Sequence, residues 1–239
     1  MSRRLAAAWL AVMLFAAPVA LHAADSSEPI KPFNGKDLSG WKFKGSADQS
    51  KWKVGVAKLD PNNPSQLAIS DAPSADKAEL INDKRGGGGT DIYTQEKFGD
   101  GTISLELMVP KGSNSGVYVM GEYEVQVLDS FGKSDEQIGP GDLGGLYNAA
   151  KPTKNAAKAP GQWQTLVIDF QAPKFEGDKK VANAKFVKVV LNGVTIHENV
   201  EMNGPTPGGL TGKESATGPL MFQGDHGPVA FRNIEIVTK

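Results

Sequence analysis

The chain has 239 residues, 26 Lys+Arg against 27 Asp+Glu, and no cysteine. A net charge of −1 gives nucleic acid no electrostatic footprint. The absence of cysteine excludes thiol nucleophiles, thiolate metal sites and disulfides, so the fold relies on core burial alone. Residues 1–24 read as a secretory signal peptide. Arg3 and Arg4 precede an apolar run from Leu5 to Leu21, broken by Pro18, that leads to the small residues Ala23 and Ala24. Its removal leaves 24 basic against 27 acidic residues, a net charge of −3. The mature chain, residues 25–239, is expected to be a single exported domain, periplasmic or secreted, without a transmembrane helix.

In chain order, residues 30–41 (IKPFNGKDLSGW) set the turn signals Asn34-Gly35 and Ser39-Gly40 between Phe33, Leu38 and Trp41. These three large residues are expected to pin an irregular segment to the body. Trp52, Val54 and Val56 alternate with polar or small residues as a short strand, and the stretches 60–64 and 70–77, rich in Pro, Asn, Asp and Ser, read as loops. Gly86 to Gly89 lacks the Gly-Lys-Ser/Thr ending of a phosphate loop and reads as a rim or hinge. A strand is expected at 91–94. Ile103, Leu105, Leu107 and Val109 then alternate with Thr102, Ser104, Glu106 and Met108 in a half-buried strand ended by Pro110.

The central stretch is 112–129, GSNSGVYVMGEYEVQVLD. Two apolar runs flank Gly121-Glu122, which fits a two-residue type II′ loop with Met120 facing Tyr123. That register puts Tyr118, Met120, Tyr123, Val125 and Val127 on one face, and Val117, Val119, Glu124 and Gln126 on the other. The common face of Glu124 and Gln126 follows from the strand period whatever the loop length. Residues 130–160 form a long loop of the functional or mobile kind, in which Gly144-Gly145-Leu146-Tyr147 is a short ordered return that brings an aromatic near the site. Residues 162–170 read as a well-buried strand, and 189–196 as a hairpin around Asn192-Gly193. His197, at its end, is expected to be a solvated strand-end residue. The chain closes with residues 220–223, a turn at 224–228 and a strand at 229–237. That strand needs a bulge near Arg232-Asn233 to bring both Phe231 and Ile234 into the core. Short strands between turn signals, with no amphipathic helix and no fixed repeat, predict an all-β sandwich.

Two places carry chemistry. Glu124 and Gln126 share one side of a strand, and a bulge would bring Asp129 to it. Carboxylates along a concave sheet suit sugar chemistry, because acid and base must flank one C–O bond; a solvated polar face is the competing reading. His226, in Gln223-Gly224-Asp225-His226-Gly227, projects from an open backbone, and imidazole moves protons near neutrality. Asp225 either orients that ring or shapes the turn. No His/carboxylate cluster shows zinc-ligand spacing, so no metal or other cofactor is assigned, and calcium on the acidic loops is the least strained candidate.

Phe33-Asn-Gly-Lys-Asp-Leu-Ser-Gly-Trp41, Asp91-Ile-Tyr-Thr94, Lys97-Phe-Gly-Asp100, Asn114-Ser-Gly-Val117, Tyr123-Glu-Val-Gln-Val-Leu-Asp129, Gly161-Gln-Trp163, Leu191-Asn-Gly193, Gly218-Pro-Leu-Met-Phe-Gln-Gly-Asp-His-Gly227 and Phe231-Arg-Asn-Ile234 follow one another in order. Together they resemble the 3-keto-disaccharide hydrolase family, long called a domain of unknown function, over nearly the whole mature chain. The resemblance implies a concanavalin A-like jelly roll acting on oligosaccharides or glycosides already oxidised at C3. Removal of the acidified C2 proton expels the C1 substituent, and water addition completes net hydrolysis. It implies Glu124 or His226 as the proton-transfer pair, and Asn114, Gln126, Gln223 and Arg232 as holders of hydroxyls and developing charge; the strand, loop and turn readings above add Asp129, Tyr147 and Asp225 as substrate-binding candidates beside them.

The chain departs from the family at Met108 and Met120, where many members have Arg, and in a shorter hairpin loop. If those arginines bind the keto-sugar, the substrate differs. Two rivals remain open. One is a lectin-like module that binds sugar without turnover; the other is a retaining glucanase using Glu124 and Asp129, which needs carboxyls about 5–5.5 Å apart.

Overall fold

Alternation of apolar and polar residues decides which side of each strand is buried. In the computed structural model, which describes residues 28–239 except Gly87, this alternation builds fifteen strands. They are β1 (Trp41–Lys44), β2 (Trp52–Leu59), β3 (Leu67–Ser70), β4 (Glu79–Asn82), β5 (Asp91–Thr94), β6 (Gly101–Met108), β7 (Asn114–Val119), β8 (Tyr123–Leu128), β9 (Trp163–Gln171), β10 (Lys174–Glu176), β11 (Lys179–Ala182), β12 (Ala184–Leu191), β13 (Val194–Met202), β14 (Met221–Phe222) and β15 (Val229–Thr238). The expected signal peptide, residues 1–24, lies outside the described residues.

One sheet has the order β1-β5-β14-β7-β8 and the other β13-β12-β9-β6-β15-β4-β2-β3; β10 and β11 form a separate ribbon. All strand pairings among the described residues are antiparallel. The result is the all-β jelly-roll sandwich that the sequence predicts. Ile103, Leu105 and Leu107 of β6 and Leu166, Ile168 and Phe170 of β9 face inward against Val117, Val119, Tyr123 and Val125 of the smaller sheet. Phe222 and Phe231 stack across the gap at 4.0 Å and 9°, with Trp41 and Trp52 on either side, and Tyr123 meets Phe170 at 5.5 Å. Such pairs add about 0.5–1.5 kcal/mol each beyond area burial. Trp41 anchors the N-terminal segment as expected, and the Ile30–Ile236 bridge ties that segment to β15.

Turn chemistry explains both hairpins. Asn192 and Gly193 take φ of 53° and 81°, the type I′ pattern. Between β7 and β8 the loop is one residue longer than expected. Met120 and Gly121 take φ of 55° and 73°, the Glu122 N–H bonds Val119 O at 3.1 Å, and Val119, not Met120, pairs with Tyr123. The added residue turns Tyr118 over to the face of Glu124, its cross-strand partner, and sends Val117 and Val119 into the core. The bulge predicted in the last strand falls between Arg232 and Glu235, with Asn233 at φ 51°.

His197 departs from expectation. It is buried, and its Nε2 lies 2.9 Å from Gly144 O, so the side chain fastens the long loop to β13. Burial holds its imidazole below the ordinary value. The sequence also gave no sign of β4, whose four residues are all buried.

Candidate active site

The outer face of the smaller sheet carries an open cleft of about 210 Å³, lined by Asn114, Tyr118, Glu124, Gln126, Tyr147, Pro207, Gly208, Gln223 and His226. Strand period puts Glu124 and Gln126 side by side on β8, and cross-strand pairing sets Tyr118 opposite Glu124 and Gly116 opposite Gln126. Gly116 is a requirement of the site. A Cβ there would fall 2.4 Å from Glu124 Oε1 and 2.9 Å from Tyr118 Cε2, so a side chain would evict the carboxylate.

Three segments wall the cleft. Residues 144–147 add a short edge to β8, with Gly144 N–H on Gln126 O and Gln126 N–H on Gly145 O, both at 2.8 Å, and Tyr147 N–H on Glu124 O at 3.1 Å. This is the ordered return that the sequence suggested. The loop after β13 supplies Pro207 and Gly208 and is pinned by Glu122. The buried Glu122 carboxylate accepts from Thr211 N–H at 2.8 Å, the Thr211 hydroxyl at 2.7 Å and Gly212 N–H at 2.9 Å. The turn after β14 carries His226, whose Nδ1 lies 2.5 Å from Asp225 Oδ1 with both side chains about half exposed. Asp91 of β5 joins two of these walls. It accepts from Gly224 N–H at 2.9 Å and from Lys44 Nζ at 3.3 Å, while Lys44 also donates to Gly208 O at 2.6 Å. Gly89, at the end of the glycine run, packs against Gly224 and Asp225 beside that turn.

Electrostatics single out Glu124. Only 3% of it is exposed, and burial raises its carboxyl from 4.5 to about 7; the Tyr118 hydroxyl and His226 pull the other way, and Asp91 and Asp225 add to the rise. Burial, then the Glu124 carboxylate, pushes the Tyr118 phenol far above its ordinary value, so it remains a donor, 3.2 Å from Pro207 O. The Gln126 amide donates to Asn114 Oδ1 at 3.2 Å, which leaves the Asn114 NH₂ free to face a ligand. The cleft thus offers one buried carboxylate poised near neutrality, two phenols, three amides and an imidazole at its mouth, a set that can move a proton and hold an oxyanion.

Six of the nine residues singled out from the sequence meet here: Asn114, Glu124, Gln126, Tyr147, Gln223 and His226 line the cleft, and Asp225 backs His226. Two lie elsewhere. Asp129 closes turns, accepting from Gly112 N–H at 2.9 Å and Phe131 N–H at 3.3 Å, because no bulge follows Leu128 to bring it round. Its absence from the cleft leaves Glu124 as the only lining carboxylate among the described residues and separates the Glu124–Asp129 pair that a retaining glucanase would need. Arg232 lies on the outer side of the larger sheet, bound to Glu106 at 2.7 Å and 4.0 Å above the Trp163 ring, because β15 pairs with β6 and β4. Met108 and Met120 are also buried away from the cleft, Met108 among Ala57, Leu67, Ile81 and Ala230, and Met120 in the main core. Their departure from the family pattern therefore does not alter the cleft lining. Sequence reasoning missed Tyr118, assigned to the wrong face by the shorter loop, and Asp91, whose partners are remote in the chain.

A profile describing a 3-keto-alpha-glucoside-1,2-lyase-like domain matches residues 28–237. A crystal structure from Parabacteroides distasonis ATCC 8503, of a protein whose name places it provisionally among the glycosyl hydrolases, is similar to this chain at 28% identity and a TM-score of 0.62, over 89% of this chain and 84% of that one. A second protein of that organism with the same provisional assignment is 19% identical, with a TM-score of 0.58 over 88% and 94% of the two chains, and shares the fold. No curated protein matches the chain.

Proposed function

The chain belongs to the 3-keto-alpha-glucoside-1,2-lyase-like domain family and is a carbohydrate-acting protein, and from that premise we propose that it is an exported enzyme that cleaves 3-keto-glycosides by C2 proton abstraction, elimination and hydration. The observation that carries this reading is Glu124, the only carboxylate among the described residues that line the cleft, buried and raised to about 7. A general base with its pKa near working pH combines the right protonation state with the greatest driving force for proton transfer.

In this mechanism a 3-keto-glycoside sits with C2 over Glu124. The carboxylate takes the C2 proton, and the C–H electron pair forms a C2=C3 enolate. The Tyr118 hydroxyl and the Asn114, Gln126 and Gln223 amides supply donors to the enolate oxygen and the ring hydroxyls. The enolate collapses to the ketone as the C1–O bond breaks, and His226 gives the departing oxygen its proton, its ring held by Asp225. Water then adds across C1=C2, with hydroxyl to C1 and proton to C2, and the 3-keto sugar is released.

The test is turnover of 3-keto-trehalose and of methyl 3-keto-α-glucoside by the mature chain, with and without EDTA. Release of 3-keto-glucose, through an enone absorbing in the ultraviolet, is expected, as is loss of turnover in Glu124→Gln. Binding of both sugars without any turnover would replace this reading with the lectin-like one.

A further inference from the structure

A second cavity of about 260 Å³ adjoins the cleft, and Tyr147 lines both. Its other walls are Asn148 and Ala149, the end of β13 from Glu201, and residues 203–206, which lead directly into the Pro207-Gly208 wall of the first cavity. The divide between the two compartments hangs on one residue. Glu124 accepts the Tyr147 N–H through its backbone oxygen at 3.1 Å and donates its own N–H to the Thr206 hydroxyl at 3.0 Å. Thr206 is fixed in turn by its hydroxyl on Glu122 O at 2.9 Å. The second compartment therefore begins at the backbone of the proposed base.

We infer that this compartment is the subsite for the leaving sugar, so that a disaccharide lies across Tyr147 with its scissile bond at Glu124. The inference rests on the proposed function for the identity of the reacting ring, but the compartment itself does not depend on turnover. Each cavity alone is smaller than the ~300–1,000 Å³ of an ordinary ligand pocket, and the two joined fall within that range. The lining chemistry suits a polyol. The side chains of Asn148, Glu201 and Asn203 are exposed and have no hydrogen-bond partner among the described residues, which leaves both donors and acceptors for hydroxyls. Tyr147, partly exposed between the compartments, presents a ring to the apolar side of a sugar.

Gly204 supplies a probe. Its φ lies outside the left-handed region, and a Cβ there meets nothing within 4 Å, so a side chain can be added without strain to fill the space. Affinities of trehalose and methyl α-glucoside would be measured by calorimetry for the wild-type chain, Gly204→Leu and Asn203→Ala, alongside kcat/KM for the two 3-keto analogues. The expected result is at least tenfold tighter binding of trehalose than of the methyl glucoside by the wild-type chain. Gly204→Leu should abolish that preference, Asn203→Ala should reduce it severalfold, and the kcat/KM ratios should follow. Equal affinities in the wild-type chain, or a preference that survives both substitutions, would overturn the subsite. Absence of turnover with the preference intact would overturn the proposed function and leave the subsite standing.

Discussion

Replacing Glu124 by Gln should raise stability and remove activity, and both effects follow from one number. The native state keeps its proton up to about pH 7, whereas the unfolded chain loses it near 4.5. Between these values the native state holds more protons than the unfolded one, so stability falls as pH rises through the window and stays low above it. At about 1.4 kcal/mol for each pH unit the cost of ionising Glu124 approaches ~3 kcal/mol at pH 8, an upper bound because water entering the open cleft would screen the charge. Gln is close in shape and carries no charge, so Glu124→Gln should recover much of that cost at pH 8 and almost none at pH 4, where both side chains are neutral. For a domain of this size each kcal/mol moves Tm by about 2–4 °C, which predicts a rise of up to ~6–12 °C at pH 8. Loss of the base should lower kcat on a 3-keto-glucoside by about 10²–10⁴-fold. Calorimetric melts of both proteins from pH 4 to 9, with turnover in the same buffers, decide the matter. A Tm difference that does not change with pH, or a variant less stable at pH 8, would refute the reasoning.

Gly116→Ala should abolish turnover while the chain still folds, because the new methyl would lie 2.4 Å from Glu124 Oε1; a pH–rate profile unchanged from wild type would contradict this. Glu122→Ala leaves three donors of the cleft wall without their acceptor and should cost about 3 kcal/mol or more in denaturant titrations, with KM raised more than kcat is lowered. His197 is held below its ordinary value by burial, so as pH drops below ~6.5 the unfolded chain binds the proton more readily and stability decreases toward acid pH. In His197→Gln that acid-side loss should be smaller, as read from the midpoint of urea unfolding at pH 5 against pH 8.

Much of this protein was legible in the chain itself. Alternation over residues 102–109 and 162–170, Asn192-Gly193 and the bulge at Arg232-Asn233 are local signals, because side-chain direction in a strand and φ in a turn are set by neighbours in sequence. The same period put Glu124 and Gln126 on one face before any partner was known. Pairing was not local. One extra residue in the 120–122 loop moved Tyr118 from core to cleft, which the local pattern left open because Tyr118 is flanked by the equally apolar Val117 and Val119. Asp129, Arg232, Met108 and Met120 stand near the proposed site residues in sequence or motif, but sheet order put them in a turn, on the far sheet or in the cores. Asp91 became part of the site through Lys44 and Gly224, 47 and 133 residues away. Residue type and period determined what chemistry the chain could offer; the antiparallel register and the burial it imposes decided which carboxylate stands in low dielectric near pH 7, and therefore which one can act.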